Sequence, residues 1–219
     1  MKNCWKTITA VFLMAIAILF TGCRNHDYVD LGLPSGTLWA TCNVGAYTPE
    51  GYGDYFAWGE TRPKSSYEWG TYKYCKGDQD KLTKYCTDSD YGYNGFTDNL
   101  TQLQPSDDAA TANWGDEWCM PTKEQWEELF QNTTETWTTR KGVEGRLFTA
   151  SNGESLFFPA TRSGGEVGSY GGYWSSSLGT DDPRFAWCVY MYSAIYGINI
   201  NYFVCRDLSV RAVRSSCQK

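Results

Sequence analysis

Only two segments of this 219-residue chain can be read as helices. Asp107 to Gly115 has acids at its start and a glycine stop, which suits the helix dipole and a left-handed C-terminal residue. Thr122 to Gln131 opens with a T-x-x-Q capping box and places Trp126, Leu129 and Phe130 on one face at i, i+3 and i+4. The chain carries 10 Trp, 16 Tyr and 10 Phe. With so little helix, those rings must be buried between strands. The predicted class is therefore α+β, with small antiparallel sheets, two flanking helices and long loops.

The strand signals agree. Tyr28 to Leu31, a Gly32–Gly36 turn and Thr37 to Gly45 read as a hairpin, with Leu38, Ala40 and Cys42 alternating on one side. Glu135 to Thr139, Gly145 to Ala150 and Ser155 to Ala160 follow as strands. Lys141-Gly142 and Ser151-Asn152-Gly153 are the turns between them, and Asn-Gly is a strong hairpin signal. Gly172-Tyr173-Trp174-Ser175-Ser176-Ser177 reads as a buried strand closed by small residues, and Leu208 to Arg214 as a C-terminal strand. Tyr47 to Pro63 is a loop whose aromatic cluster packs on the core. Residues 65–95 are a Tyr- and Gly-rich insertion without periodicity, either an ordered loop stapled by Cys75 and Cys86 or a partly mobile one. Ser163 to Gly172 is a Gly-rich connector without P-loop spacing.

The N-terminus directs the chain out of the cytoplasm. Lys2 and Lys6 precede an apolar run from Thr9 to Phe20, short of the roughly 20 residues a membrane span needs. Residues 1–22 read as a signal peptide. Phe20-Thr21-Gly22-Cys23 resembles a bacterial lipobox, with Phe in place of the usual Leu, so Cys23 is the expected lipidated residue. Residues 23–27 are then a lipidated cysteine and short tether, and 28–217 a single domain. The expected place is the outer membrane, cell surface, with the lipid anchor as the membrane contact.

Beyond residue 22 the chain has 17 Lys+Arg against 25 Asp+Glu, near −8, and one histidine. That balance speaks against nucleic acid as a partner. Seven cysteines follow Cys23: Cys42, Cys75, Cys86, Cys119, Cys188, Cys205 and Cys217. An odd count leaves at least one thiol free, and spacing leaves the connectivity open. No C-x-x-C occurs and His26 sits by the anchor, so no metal site is expected. No cofactor is expected either.

The functional expectation rests on residues 186–207. Between Trp187 and Asp207 there is no Lys and no Glu, and Tyr, Ile, Asn and Phe abound. Rigid aromatics with Asn and Ser hydrogen bonding suit a binding surface. Trp187, Val189 and Met191 alternate with Cys188, Tyr190 and Tyr192, which assigns the first set to the core and the second to the outside. Tyr196, Ile198, Asn199, Ile200, Asn201, Tyr202 and Phe203 follow on a loop and return strand beside that face. The candidate ligand-binding residues are Cys188, Tyr190, Tyr192, Tyr196, Ile198, Asn199, Asn201, Tyr202 and Phe203. The competing reading is ordinary sheet core, with the Asn residues marking a turn.

Enzyme constellations fail on inspection. Ser175-Ser176-Ser177 has no G-x-S-x-G elbow, and His26 is an implausible base beside an anchor. The adjacent acids at 107–108, 116–117, 127–128 and 181–182 read as solvated pairs. Asp88-x-Asp90 lacks the remaining positions of a calcium loop. No catalytic residue is assigned.

YVDLGLPSGTLWATCNVGA, the NWG-x-x-W-x-MPT-x-x-x-W-x-x-L run at 113–129, NG-x-SLFFPA at 152–160, GYWSSS and LSVRAVR together resemble the exported Bacteroides and Fibrobacter major-paralogue domain. The resemblance implies a C-type-lectin-like fold, shared with formylglycine-generating enzymes, in which N- and C-terminal strands pair. Some proteins of that fold are diversified by retroelements through adenine-directed mutagenesis. The resulting N-N-pyrimidine codons cannot encode Lys, Gln, Glu, Met or Trp, and Tyr192 to Asp207 contains none of the five. The lectin calcium motifs, Glu-Pro-Asn or Gln-Pro-Asp with Trp-Asn-Asp, are missing. The reactive cysteine pair of the formylglycine-generating enzymes does not fit the spacing of Cys188, Cys205 and Cys217.

The leading expectation is a lipid-anchored envelope protein displaying a C-terminal, retroelement-diversified surface for a protein or glycan on another cell, phage or host surface. The alternatives are a non-diversified scaffold lipoprotein and an oxidase of the formylglycine-generating type.

Overall fold

The structure, a computed structural model, describes residues 26–161 and 168–214. The signal peptide, Cys23 and Cys217 lie outside the described residues. The elements in chain order are β1 (Tyr28–Val29), β2 (Leu38–Asn43), β3 (Tyr55–Phe56), α1 (Ala109–Trp114), β4 (Trp118–Cys119), α2 (Lys123–Gln131), β5 (Thr133–Arg140), β6 (Val143–Ala150), β7 (Ser155–Pro159), β8 (Tyr170–Leu178), β9 (Phe185–Tyr192), β10 (Tyr196–Phe203), β11 (Leu208–Ser209) and β12 (Arg211–Arg214). This is an α+β arrangement of small, mainly antiparallel sheets with few helices. Among the described residues no helix is long and apolar enough to cross a membrane.

Three sheets form, in strand order β1-β2-β12-β4, β10-β9-β8-β11-β3 and β5-β6-β7. The last is the meander read from its Lys141-Gly142 and Asn152-Gly153 turns. The N- and C-terminal ends of the domain meet in the first sheet with one correction: β12 pairs with β2, while the first strand pairs only with β2. The C-terminal segment is also not one strand. Leu208–Ser209 joins β8 and β3, and Arg211–Arg214 joins β2 and β4. The chain changes sheet at Val210, whose carbonyl accepts from Val44 N at 2.9 Å.

Both helices start where the caps place them. Thr122 Oγ1 accepts from Gln125 N, and Gln125 Oε1 accepts from Thr122 N at 2.9 Å. For α1 the cap is Asp108, outside the first turn: Oδ1 accepts from Ala110 N and Thr111 N, and Oδ2 from Met120 N. Burial pushes the Asp108 carboxyl up to about 6, against the pull of those N–H bonds.

β8 separates two hydrophobic cores and is buried along nearly its whole length. On one side Trp58, Trp174, Cys188, Tyr72 and Tyr85 pack together; on the other, Trp39, Trp126, Phe148, Phe158, Tyr173, Val189 and Met191. Each buried Phe contributes about 1.5–3 kcal/mol by leaving water. The indole N–H groups tie the layers: Trp58 donates to Ser175 O, Trp174 to Phe56 O, and Trp126 to Trp174 O. The serines of this strand are small because rings cover it from both sides. Arg211, fully buried, donates to Asn43 Oδ1, Ala40 O, Thr41 O and Phe157 O, and so joins β12 to β2 and β7.

The 65–95 insertion is part of the first core rather than a mobile loop. Tyr72, Tyr74, Leu82, Tyr85 and Cys86 are buried in it. Cys75 and Cys86 are separate free thiols, bonded to Trp69 O and Asp88 O, so no disulfide staples the segment. Its hold is instead aromatic and electrostatic. Buried Asp107 accepts from Tyr85 Oη and pairs with Lys84 and Lys73.

Candidate functional site: the tyrosine face of the C-terminal hairpin

β8, β9 and β10 form the end of the five-stranded sheet, and their register builds the candidate site row by row. Tyr170 lies opposite Tyr192; Gly172 opposite Tyr190, which is opposite Gly197; Trp174 opposite Cys188, which is opposite Asn199. Directly paired residues project to the same face. This face therefore begins with three tyrosines at the hairpin end and runs into the first core.

The tyrosines are arranged by glycines. A Cβ on Gly172 would lie 2.9 Å from the Tyr170 ring, and one on Gly197 would lie 2.8 Å from Tyr190 Oη. Missing side chains thus let the rings lie down on the sheet. Tyr170 and Tyr192 rings are 4.7 Å apart and Tyr190 and Tyr192 6.4 Å, within the range of favourable ring pairing. Tyr192 remains 45 % exposed and neighbouring Ile195 56 %. Burial, with Cys188, Tyr202 and Tyr192 close by, raises the Tyr170 hydroxyl far above its ordinary value. Residues 170–179 and 185–205 contain no Asp, Glu, Lys or Arg, although one residue in five of the chain is charged. Burial accounts for that in β8. It does not account for Tyr192, Ser193, Ala194, Ile195 and Asn201, which are exposed.

The residues singled out in the sequence divide among three places. Tyr190, Tyr192, Asn199 and Asn201 lie on or beside the tyrosine face. Asn199 Oδ1 accepts from Asn201 N at 3.2 Å and closes the bulge between Asn199 and Tyr202. Tyr196 and Ile198 belong to the opposite face, packed on the second core; Tyr196 meets Phe130 at 5.0 Å and Phe148 at 5.5 Å. Tyr202 and Phe203 pack on the first core, against Trp174 and against Phe185 and Trp69.

Cys188 is a correction. Alternation puts it outside, and it does share the face of Tyr190 and Tyr192, but it is 1 % exposed. The sheet is covered on both sides at this level, so period two no longer separates inside from outside. Trp187, assigned to the core, is half-buried beneath the Lys123 ammonium at 4.2 Å. Burial pushes the Cys188 thiol up to about 12, and Cys205, despite Arg206, to about 11. Both move away from the depressed value of a reactive thiolate.

Two contributors escaped the sequence reading. Tyr170 sits two residues before the expected start of β8; the spacing Tyr170, Gly172, Trp174 carried the signal. Arg146 carries no signal in the sequence beyond its place in a hairpin strand. Its side chain is 2 % exposed, pairs with Glu135 and donates to Tyr192 O and Ser193 O. The Tyr196 ring stacks on it at 4.5 Å. It holds the hairpin tip through main-chain atoms.

A second concavity, a cleft of about 590 Å³ between residues 53–55, 63–68 and 206–207, is polar. Two of its lining groups are already engaged: Lys64 Nζ donates to Glu60 Oε1 and Thr71 O behind the cleft, and Tyr67 Oη donates to Tyr55 O within it. Among the described residues no three His, Cys, Asp or Glu side chains gather in a way that would hold a metal ion. No protein-family model, no curated protein and no solved structure matches the chain.

Proposed function

We propose that this is an exported, lipid-anchored envelope protein of C-type-lectin-like fold whose tyrosine face binds a protein or glycan borne by another cell, a phage or a host. The observation that carries the reading is the uncharged end of the β8–β10 sheet, where exposed Tyr192 and Ile195 stand beside the half-buried Tyr170 and Tyr190, whose rings lie over Gly172 and Gly197. Amphipathic rings with two rotatable bonds supply contact area at low entropic cost, and Asn and Ser supply hydrogen bonds. Clustered exposed apolar surface marks contact sites. The proposed site is narrower than the sequence reading: Tyr190, Tyr192, Asn199 and Asn201, joined by Tyr170, with Cys188, Tyr196, Ile198, Tyr202 and Phe203 supporting it from the cores.

The same narrowing applies to retroelement diversification. Among sibling cells, variation at N-N-pyrimidine codons should concentrate at Tyr190, Tyr192, residues 193–195, Asn199 and Asn201, and spare Cys188, Tyr196 and Ile198, whose packing leaves little room for change. An invariant locus with no template copy nearby removes the diversification proposal.

The binding proposal is tested with glycan arrays and whole-cell binding, comparing wild type with Tyr190→Ala/Tyr192→Ala. The double variant is expected to keep its melting temperature within a few degrees and lose about tenfold or more in affinity, as for truncated aromatic anchors. Unchanged binding by the folded variant would refute the site. The scaffold reading differs in requiring one constant partner surface.

A further inference from the structure

The edges of the three sheets are not alike. β1, β3 and β4 are two-residue strands. β5 carries Glu135 and Arg140, and β7 ends in Pro159. Short length, charge and proline are the devices by which natural sheets discourage strand addition. β10 is the exception: eight residues, YGININYF, with no charge and no proline, and among the described residues paired only with β9. Its single device is the bulge between Asn199 and Tyr202, which leaves Tyr196 to Asn199 regular.

The hydrogen-bond parity says which groups this edge offers. Tyr192 N donates to Ile195 O at 2.7 Å, so Tyr192 and Ile195 are a hydrogen-bonded pair of the hairpin. Such pairs alternate along an antiparallel ladder. Tyr190–Gly197 and Cys188–Asn199 are then bonded pairs as well, whereas Met191–Tyr196 and Val189–Ile198 are not. The N–H and C=O groups of Tyr196 and Ile198 therefore point away from β9, toward the open edge.

We propose that this edge joins two copies of the protein, with β10 pairing antiparallel to β10 of a second copy about a twofold axis at Gly197. Tyr196 of each copy then exchanges both backbone bonds with Ile198 of the other, four bonds in all. On one face Tyr196 lies opposite Ile198, a favourable aromatic to β-branched pair. At the axis glycine meets glycine, so no side chain obstructs the approach. Charge argues for the same occupant. Two exported chains of net charge near −8 repel, and among the described residues this is the one long edge that adds no like charge of its own at the contact. A twofold contact must be self-complementary, and a strip reading Tyr-Gly-Ile with glycine at its centre is. The joined sheets would set two tyrosine faces side by side. The pairing itself does not depend on those faces binding anything.

The test is sedimentation of the full-length chain in density-matched detergent, from about 1 to about 500 μM, beside Ile198→Pro. Proline removes the Ile198 N–H, which makes no bond to β9, and edge strands tolerate that. The wild type is expected to dimerise and the variant, with unchanged circular dichroism, to weaken the association about tenfold or more by losing two of four bonds. Association through residues 1–25 would be common to both chains. In the unmodified protein, hydrogen exchange should slow with concentration at the Tyr196 and Ile198 amides and not at Gly197, already bonded to Tyr190. This second readout serves if the proline variant does not fold. A monomer throughout, equal dimerisation of a folded variant, or a dimer without that exchange pattern would each overturn the proposal.

Discussion

Replacing Arg146 by Met should loosen the β9–β10 hairpin far more than it destabilises the domain. The guanidinium is almost wholly buried, yet its bonds reach only a partly exposed carboxylate, Glu135, and two carbonyls of the hairpin tip. A hydrogen bond to a charged group is worth about 1.5–3 kcal/mol net. Against that loss, Met gives up the guanidinium's place over the Trp137 and Tyr196 rings but keeps an apolar side chain of similar length there and relieves the cost of burying a cation, and such replacements are often close to neutral. Glu135, 30 % exposed, can regain water. The net global cost should be about 1–2 kcal/mol, rising to about 3 for Arg146→Ala, which also forfeits the stem. Locally the tip loses its bonds to the rest of the domain. The hydrogen-bonded amides within 190–198, such as those of Tyr190, Tyr192 and Gly197, should then exchange about ten- to a hundredfold faster, the equivalent of one or two steps of 1.4 kcal/mol. Urea unfolding gives the first number and hydrogen-exchange mass spectrometry the second, with β8 and α2 as internal references. If exchange in 190–198 rises no more than in α2, Arg146 is not what holds the hairpin. If Met costs as much as Ala, the contribution is steric packing rather than the bonds to Tyr192 O and Ser193 O.

Two further outcomes follow from contacts already described. Gly172→Ala should cost about 1–3 kcal/mol, because its Cβ would meet the buried Leu208 side chain at 2.5 Å, whereas Gly197→Ala should cost well under 1, since only the far end of Tyr190 must move. The reverse order in urea melts would contradict the ring-over-glycine arrangement. Carbon-detected NMR should find neighbouring Asp108 and Asp107 displaced in opposite directions. Asp108 should titrate near 6, raised by burial. For Asp107 burial also acts upward, but the Lys84 and tyrosine hydrogen bonds outweigh it and hold the carboxyl below 3.8. The Asp108 contribution to stability is thus full below its ordinary 3.8 and lost as pH rises through about 6; that of Asp107 is present above 3.8 and lost as pH falls through its lowered value. Asp108→Asn should flatten stability between about pH 4 and about pH 6, and an undiminished slope there would assign it to another group.

What could be read in the sequence was local. The capping box of α2, the Asn152-Gly153 hairpin and the strand around Trp174 are set by neighbours a few residues apart, and each appears where those neighbours place it. What could not be read depended on partners far along the chain. The break at Val210 arises because Ser209 pairs with Tyr55 and Tyr173 while Arg211 pairs with Asn43. The 65–95 insertion has no period because its order comes from Tyr72, Tyr74 and Tyr85 entering a core built elsewhere. Cys188 departs from its expected exposure for a related reason: alternation reports which way a side chain points, and not whether something distant covers that side.

That distinction bears on how a surface at this hairpin can change without unfolding the protein. Its side chains divide by face. Those of Tyr196 and Ile198 pack against the second core, whereas Tyr190, half-buried over Gly197, and exposed Tyr192 project to the other face. Arg146 grips the tip at two carbonyl oxygens, which every residue possesses. The hold is therefore indifferent to which side chains stand at 192 and 193. Replacing Tyr192 alters what the face presents and leaves the anchor intact, whereas replacing Tyr196 removes a ring from between Phe130, Phe148 and the guanidinium. The proposed binding surface on one face, a packed core on the other and an anchor made of backbone would be a division of labour that tolerates variation on the outer face alone. If Ser or Asn at 190 and 192 lowered stability as much as the same changes at 196 and 198, the division would not exist, and neither would the physical basis for placing the site there.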